Sequence, residues 1–259
     1  MRRRGRVNIL LMAIGVAVFF ATWEVTARIT RFHSVLLPPP SAVALEFPDC
    51  WAGGTLLSDT LASLRRVCGG FFLGATLGAF VGGLYLLWPV RAFLSGILGL
   101  IRPIPPLAWV GLALLWFGFG DRPAYFLVAL GAFFPTLNGT YLGFSRVEVA
   151  YVKAAEALGL ERQAIFTKVL LPQALPSILS SLRVAMGVAW MIVVTAELVG
   201  AQSGLGYMIQ VSRAQLQVER VIIGMLVIGV VGALLNLVMI IAEWLLLPWR
   251  RRGRELTAE

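Results

Sequence analysis

Charge is scarce in this chain. Only 14% of its 259 residues are Asp, Glu, Lys or Arg, against about 25% in a soluble domain. With 59% hydrophobic residues, an ordinary water-soluble fold is excluded. Histidine and cysteine are scarcer still: His33 stands alone, and Cys50 and Cys68 are the only thiols. Cys50 falls in an expected external loop and Cys68 in an expected span, so no internal disulfide is expected, and no metal-ligand spacing exists. Lysine occurs at Lys153 and Lys168 only, and neither follows a glycine. A phosphate-binding loop needs Gly-Lys-Ser/Thr, so the chain carries no ATPase of that class.

What the sequence does have is long apolar runs. A helical span needs roughly 20 such residues, and six runs qualify, at 7–27, 61–87, 93–117, 124–144, 178–199 and 220–247. The alternating ten-residue segments of a membrane β-barrel are missing. The expected fold is an all-α polytopic membrane protein of about six transmembrane helices. The basic start with its apolar run resembles a signal peptide, but the run has the length of a full span and no small-x-small site follows it. It is read as a retained first helix.

The net charge of +9 does not point to nucleic acid, because the basic residues gather at span ends, as MRRRGR and WRRRGR show. Lys and Arg stay on the cytoplasmic side, with a lesser role open in contacts to anionic lipid. Their distribution places both termini and the segment 145–173 in the cytoplasm. A single domain covers 1–259. Its first helix and external loop take 1–60, the core helices 61–247 and a cytoplasmic tail 248–259. The proline-bearing stretch LLPPPSAVALEFPDCWAGG is read as external loop, and so is SGLGYMIQVSRAQLQVER.

Both lysines, two glutamates and an arginine crowd into YVKAAEALGLERQAIFTKVLLP, residues 151–172. Good helix formers fill 151–158, Gly159 interrupts them, and a second helical stretch at 161–171 is expected to stop at Pro172. Taken alone, this knob is either an amphipathic interfacial loop or a docking element. The spacing Ala154-Ala155, three residues, Gly159, nine residues, Val169-x-Leu171-Pro172 resembles the cytoplasmic-loop motif of membrane subunits of binding-protein-dependent ABC importers. That motif begins Glu-Ala-Ala and ends Ile-x-Leu-Pro. Lys153 replaces its glutamate and Val169 its isoleucine. LLPPPSAV, IRPIPPLAWVGLALLWFGFGD, GAFFPTLNGT and ALPSILSSLRVAMGVAWMIVVTAELVGAQSGLGYMI are similar to the nitrate/sulfonate/taurine branch of these type I importers.

The resemblance implies a coupling helix that docks on a separate ATPase, with Lys153, Ala154, Ala155, Glu156, Gly159, Leu171 and Pro172 in the coupling loop. ATP and Mg would then be bound by the partner ATPase dimer, with no cofactor in this chain and no catalysis by it. A second permease copy and a periplasmic or lipid-anchored solute-binding protein complete the implied assembly, in a bacterial inner membrane. Lys153 puts any carboxylate-dependent docking contact in question, and Glu156, one turn on, is a candidate substitute. Permeases of this branch serve nitrate, taurine, other alkanesulfonates, bicarbonate and pyrimidine-type vitamin precursors.

Within the spans, Pro103, Pro105 and Pro106 break the third helix beside Arg102. Non-helical backbone at that depth is tolerated where it is buried in protein or lines a wet cavity, and a charge there is a functional candidate. Arg102 is read either as lining a translocation path for a small anion or as bonding the carbonyls that the prolines free. Glu197 is read as paired with an arginine across the bundle or as part of an external gate. Gly70, Gly74, Gly78 and Gly82 form a face for close helix packing. The alternative functions are a stand-alone secondary transporter or channel, whose inverted repeats and paired intramembrane acids are not evident, and a membrane enzyme, whose convergent ionisable groups are not evident either.

Overall fold

The computed structural model describes residues 2–29 and 37–248, without the side chains of residues 2–10, 12 and 13. His33, the C-terminal basic cluster, most of the cytoplasmic tail and the side chains of the N-terminal arginines fall outside that description. Among the described residues the chain is helical, with no strand. The helices are α1 Arg2–Ile29, α2 Pro40–Ala52, α3 Thr55–Leu84, α4 Trp88–Ile101, α5 Val110–Phe117, α6 Asp121–Ser145, α7 Val149–Ala157, α8 Arg162–Ile165, α9 Leu171–Gly200, α10 Leu205–Ala214 and α11 Val218–Leu246. Among the described residues four helical runs are long and apolar enough to cross a membrane: α3, α6, the continuous run 162–200 and α11. A fifth span is broken. There α4 and the segment Pro106–Phe117 meet at 81°.

The core is the trio α3, α6 and α9, with α6 packed along both partners. The glycine stripe of α3 explains how close α3 and α6 come. A Cβ on Gly70 would stand 2.6 Å from the Val128 side chain, one on Gly78 2.5 Å from the Phe133 carbonyl, and one on Gly82 2.6 Å from the Leu137 carbonyl. Gly74 faces the Ala129 backbone. The expected packing face is therefore the α3–α6 seam. Lipid supplies no hydrophobic drive for such a contact, so close backbone approach and dispersion hold it. On its other side, α6 meets α9 where Gly139 and Gly143 lie against Ser181, Ala174 and Ser177.

Three expectations are corrected. The proline-bearing loop contains a helix, α2, because Pro40 sits at its first turn, where a missing N–H costs nothing. Val43 and Cys50, seven residues apart on one face, are buried beneath it. The stretch after Gly204 is likewise a helix, α10, with Leu205, Gly206 and Ser212 buried. Pro172 does not stop the second cytoplasmic helix. Residues Phe166–Leu170 form a π turn, and the Leu171 N–H reaches the Phe166 carbonyl five residues back. This widened turn absorbs the break in the ladder, and the helix continues into α9 with Pro172 in its first turn.

Candidate translocation path and coupling surface

At one end of the bundle, α7 is terminated by a Schellman motif. The Leu160 N–H donates to the Ala155 carbonyl at 3.1 Å and the Gly159 N–H to the Glu156 carbonyl at 2.9 Å. Gly159 holds φ of +75°, the left-handed conformation that glycine adopts without penalty. Ala155 is buried, and α7 rests on the π turn, so the small side chain there permits the approach. Phe144 and Phe166 stack at 5.8 Å and tie the end of α6 to the same turn. Lys153, Ala154 and Glu156 point outward. Beside them stand exposed apolar side chains, Val149, Tyr151 and Leu158, the last 81% exposed. Leu171 and Pro172 are half-buried at the start of α9.

At the opposite end, Arg66 of α3 is 1% exposed and uses all five guanidinium N–H donors. Its Nε and Nη2 donate to Asp121 Oδ1 at 2.8 and 2.6 Å, and Nη2 also donates to Ser203 Oγ at 2.6 Å. Its Nη1 donates to Glu197 Oε1 at 2.8 Å and to the Ser203 carbonyl at 2.6 Å. Glu197 Oε2 accepts from Ser63 Oγ at 2.8 Å and from the Gly206 N–H at 3.0 Å. Asp59 accepts the Gly204 N–H at 2.8 Å, and Arg65 pairs with Asp121. One cluster, buried at Ser63, Arg66 and Glu197, thus joins α3, α6, α9, the 201–204 turn and the start of α10. Gly204 has φ of +106°, and a Cβ on it would stand 2.6 Å from Arg66 Nη1.

Glu197 is therefore held by Arg66, across the bundle. Arg66, Asp121 and Ser63 were not singled out from the sequence. The available signal was an arginine inside a span together with an acid inside another.

Arg102 lies in the elbow between α4 and α5 and is exposed. Pro103 and Pro105 are exposed in the same elbow, and Pro105 has the extended backbone that precedes a proline. Arg102 forms no hydrogen bond or ion pair with a described side chain. It lines a depression of about 310 Å³ with Ile104 and Pro106 from the elbow, Asn138 and Gly131 from α6, and Val188 from α9. The Asn138 side chain has no hydrogen-bond partner among the described residues either. Pro135 of α6 lacks the N–H that would have reached the Gly131 carbonyl. Arg102 and Glu197 do not share a site: one lines this depression, the other is locked in the buried cluster.

The sequence profile of binding-protein-dependent transport system inner membrane components matches residues 74–252. The putative aliphatic sulfonates transport permease protein SsuC of Bacillus subtilis is 36% identical over 235 residues, 90% of this chain and 85% of that one. The taurine transport system permease protein TauC of Escherichia coli is 35% identical over 245 residues, 92% and 89% of the two chains. The bicarbonate transport system permease protein CmpB of Synechocystis is 32% identical over 247 residues, 90% and 87%. Among solved structures, a chain of an amino acid ABC transporter shares the fold with a TM-score of 0.61 at 19% identity, covering 76% of this chain and 96% of that one. The MetNI methionine ABC transporter, inward facing, does so with 0.53 at 21% identity, covering 74% and 98%. From the profile match and these full-length similarities, the chain belongs to the inner-membrane permease subunits of binding-protein-dependent ABC importers.

Proposed function

We propose that the chain forms one half of the translocation path for a small organic or inorganic anion of the sulfonate, taurine or nitrate type. In this reading both termini and α7 face the cytoplasm, and the Arg66 cluster and α10 face outward. A second, identical copy completes the pore, and a periplasmic or lipid-anchored binding protein delivers the solute. ATP and Mg are bound by a separate ATPase dimer, and this chain does no covalent chemistry. Lys153, Ala154, Glu156 and the exposed apolar residues of α7 form the docking face, which Ala155, Gly159, Leu171 and Pro172 position. Arg102, with Pro103 and Pro105 holding the elbow open, offers the solute its positive charge within the membrane. The family match sets the stand-alone secondary transporter aside.

The observation that carries the coupling role is α7 itself: a nine-residue helix, capped at Gly159 and bearing exposed apolar side chains between two spans. A segment built only to connect spans would have no reason to present Leu158 and Tyr151 outside the apolar runs. The test is affinity purification of the tagged chain from its native membranes, followed by uptake by the reconstituted complex. Recovery of an ATPase, with its loss on Leu158→Asp, supports the reading. An unaltered complex in that variant, or solute uptake by the chain alone, overturns it.

A further inference from the structure

Three depressions follow one another along α6, and their linings overlap. The outermost, about 610 Å³, is polar and includes Arg122, Phe117, Gln202 and Ser203. The middle one, about 500 Å³, shares Arg122 and Phe117 with it and is walled by Phe126, Phe133 and Leu130. Leu130 is shared again with the depression that holds Arg102 and Asn138. On α6 the linings include residues at four-residue steps, 122, 126, 130, 134 and 138, a stripe that turns roughly 40° at each step and so winds about 160° around the helix. Sixteen residues of rise make this strip about 24 Å long.

The charges at its two ends have no side-chain partner among the described residues. Arg122 follows Asp121 directly, but Asp121 is already engaged by Arg65 and Arg66. Arg122 forms no hydrogen bond or ion pair with a described side chain. Arg102 is in the same condition at the far end. Unmatched arginines at both ends of a wall are unsuited to a lipid-facing groove, since a membrane charge faces protein or water. They suit a path that an anion travels.

We propose that Arg122 is an anion-collecting site at the outer mouth, and that the α6 strip from Arg122 to Asn138 is the wall along which the solute passes to Arg102. This rests on the importer reading above and narrows its solute class. Between the arginines the wall is aromatic and aliphatic. A bare oxyanion would shed hydration there with no replacement, whereas an anion with a short apolar body covers that wall as its charged group passes from one arginine to the next. The favoured solute is therefore a small organic anion.

The test uses the reconstituted complex with its ATPase, in a Cys50→Ser/Cys68→Ser background that retains uptake. Phe126→Cys and Leu130→Cys are treated from outside with a negatively charged ethylsulfonate thiosulfonate and with its trimethylammonium counterpart, with and without ATP. The expected result is anion-selective labelling of both positions in at least one nucleotide state. A cysteine at Leu115, 82% exposed on α5, should stay unlabelled. Arg122→Gln should lower the anionic rate roughly three- to fivefold and leave the cationic rate level or higher, and Arg122→Lys should restore it. Absence of labelling in every state, or labelling indifferent to reagent charge and to Arg122, overturns the proposal. Co-purification of the ATPase and uptake by the parent complex report separately on the importer reading, so the two failures are distinguishable.

Discussion

Arg66 is the largest fully buried side chain among the described residues. All of its donors are spent inside the bundle, and Glu197 beside it is equally enclosed. Removing one partner of such a pair leaves an uncompensated buried charge, at a cost of about 3–5 kcal/mol. Glu197→Ala is expected to destabilise the purified protein by that order, read as a lowered melting temperature in detergent. Arg66→Lys should lower the melting temperature as well, because an ammonium has three donors and no planar fork. Gly204→Ala should be damaging without altering any charge. Its side chain would enter the space between Glu197 and Arg66, and limited proteolysis after α9 would show the released turn. At Cys50, burial raises the thiol pKa, which lowers the reactive thiolate fraction at neutral pH. Maleimide should therefore modify Cys50 slowly in the folded protein and readily after denaturation.

The helices differ in how far their form could be read in advance. The glycine stripe of α3 was legible because its four-residue spacing is local and its consequence, close packing, follows from size alone. The end of α7 was legible too, since glycine after a run of helix formers is the usual stop. Gly159→Ala places a side chain in the left-handed region, which costs roughly 1–2 kcal/mol. It is expected to reduce ATP-driven uptake while leaving the spans intact, checked by equal yield and gel-filtration profile. The continuation through Pro172 was not legible, because a π turn depends on how the ladder is rephased and no single residue announces it. Pro40 and Gly204 misled for a related reason. Each is a breaker by type, yet one opens α2 and the other precedes α10. The Arg66 cluster escaped notice because its members lie far apart in sequence and meet only after α3, α6 and α9 have packed.

At the scale of the whole molecule, the chain divides into a tight trio and a looser surround. The trio is sealed by glycine and serine contacts on one side and by the Arg66 cluster at one end. Around it, α4 has no buried residue, and Arg91 Nη1 donating to Tyr141 Oη at 2.7 Å anchors it to α6. Arg220 reaches Glu46 at 2.8 Å and fastens α11 to α2. Larger residues in the seam should abolish folding, and loss of a peripheral tie should not. Gly78→Leu is expected to prevent recovery of stable protein, whereas Arg91→Gln should be recovered at near-normal yield with α4 more accessible to hydrogen exchange.

The uninterrupted run of α9 links the two faces of the membrane. Pro172 and Pro176 both fall within its first six residues, and the 24 residues beyond them make a rod of about 36 Å. Its lower end carries the π turn on which α7 rests. Its upper end carries Glu197, which grips Arg66 and the first turn of α10. In the coupling role proposed above, such a rod would act as a pushrod. A tilt imposed on α7 by an ATPase would arrive at α10 as displacement of the same solid piece, in step with the stroke rather than after it.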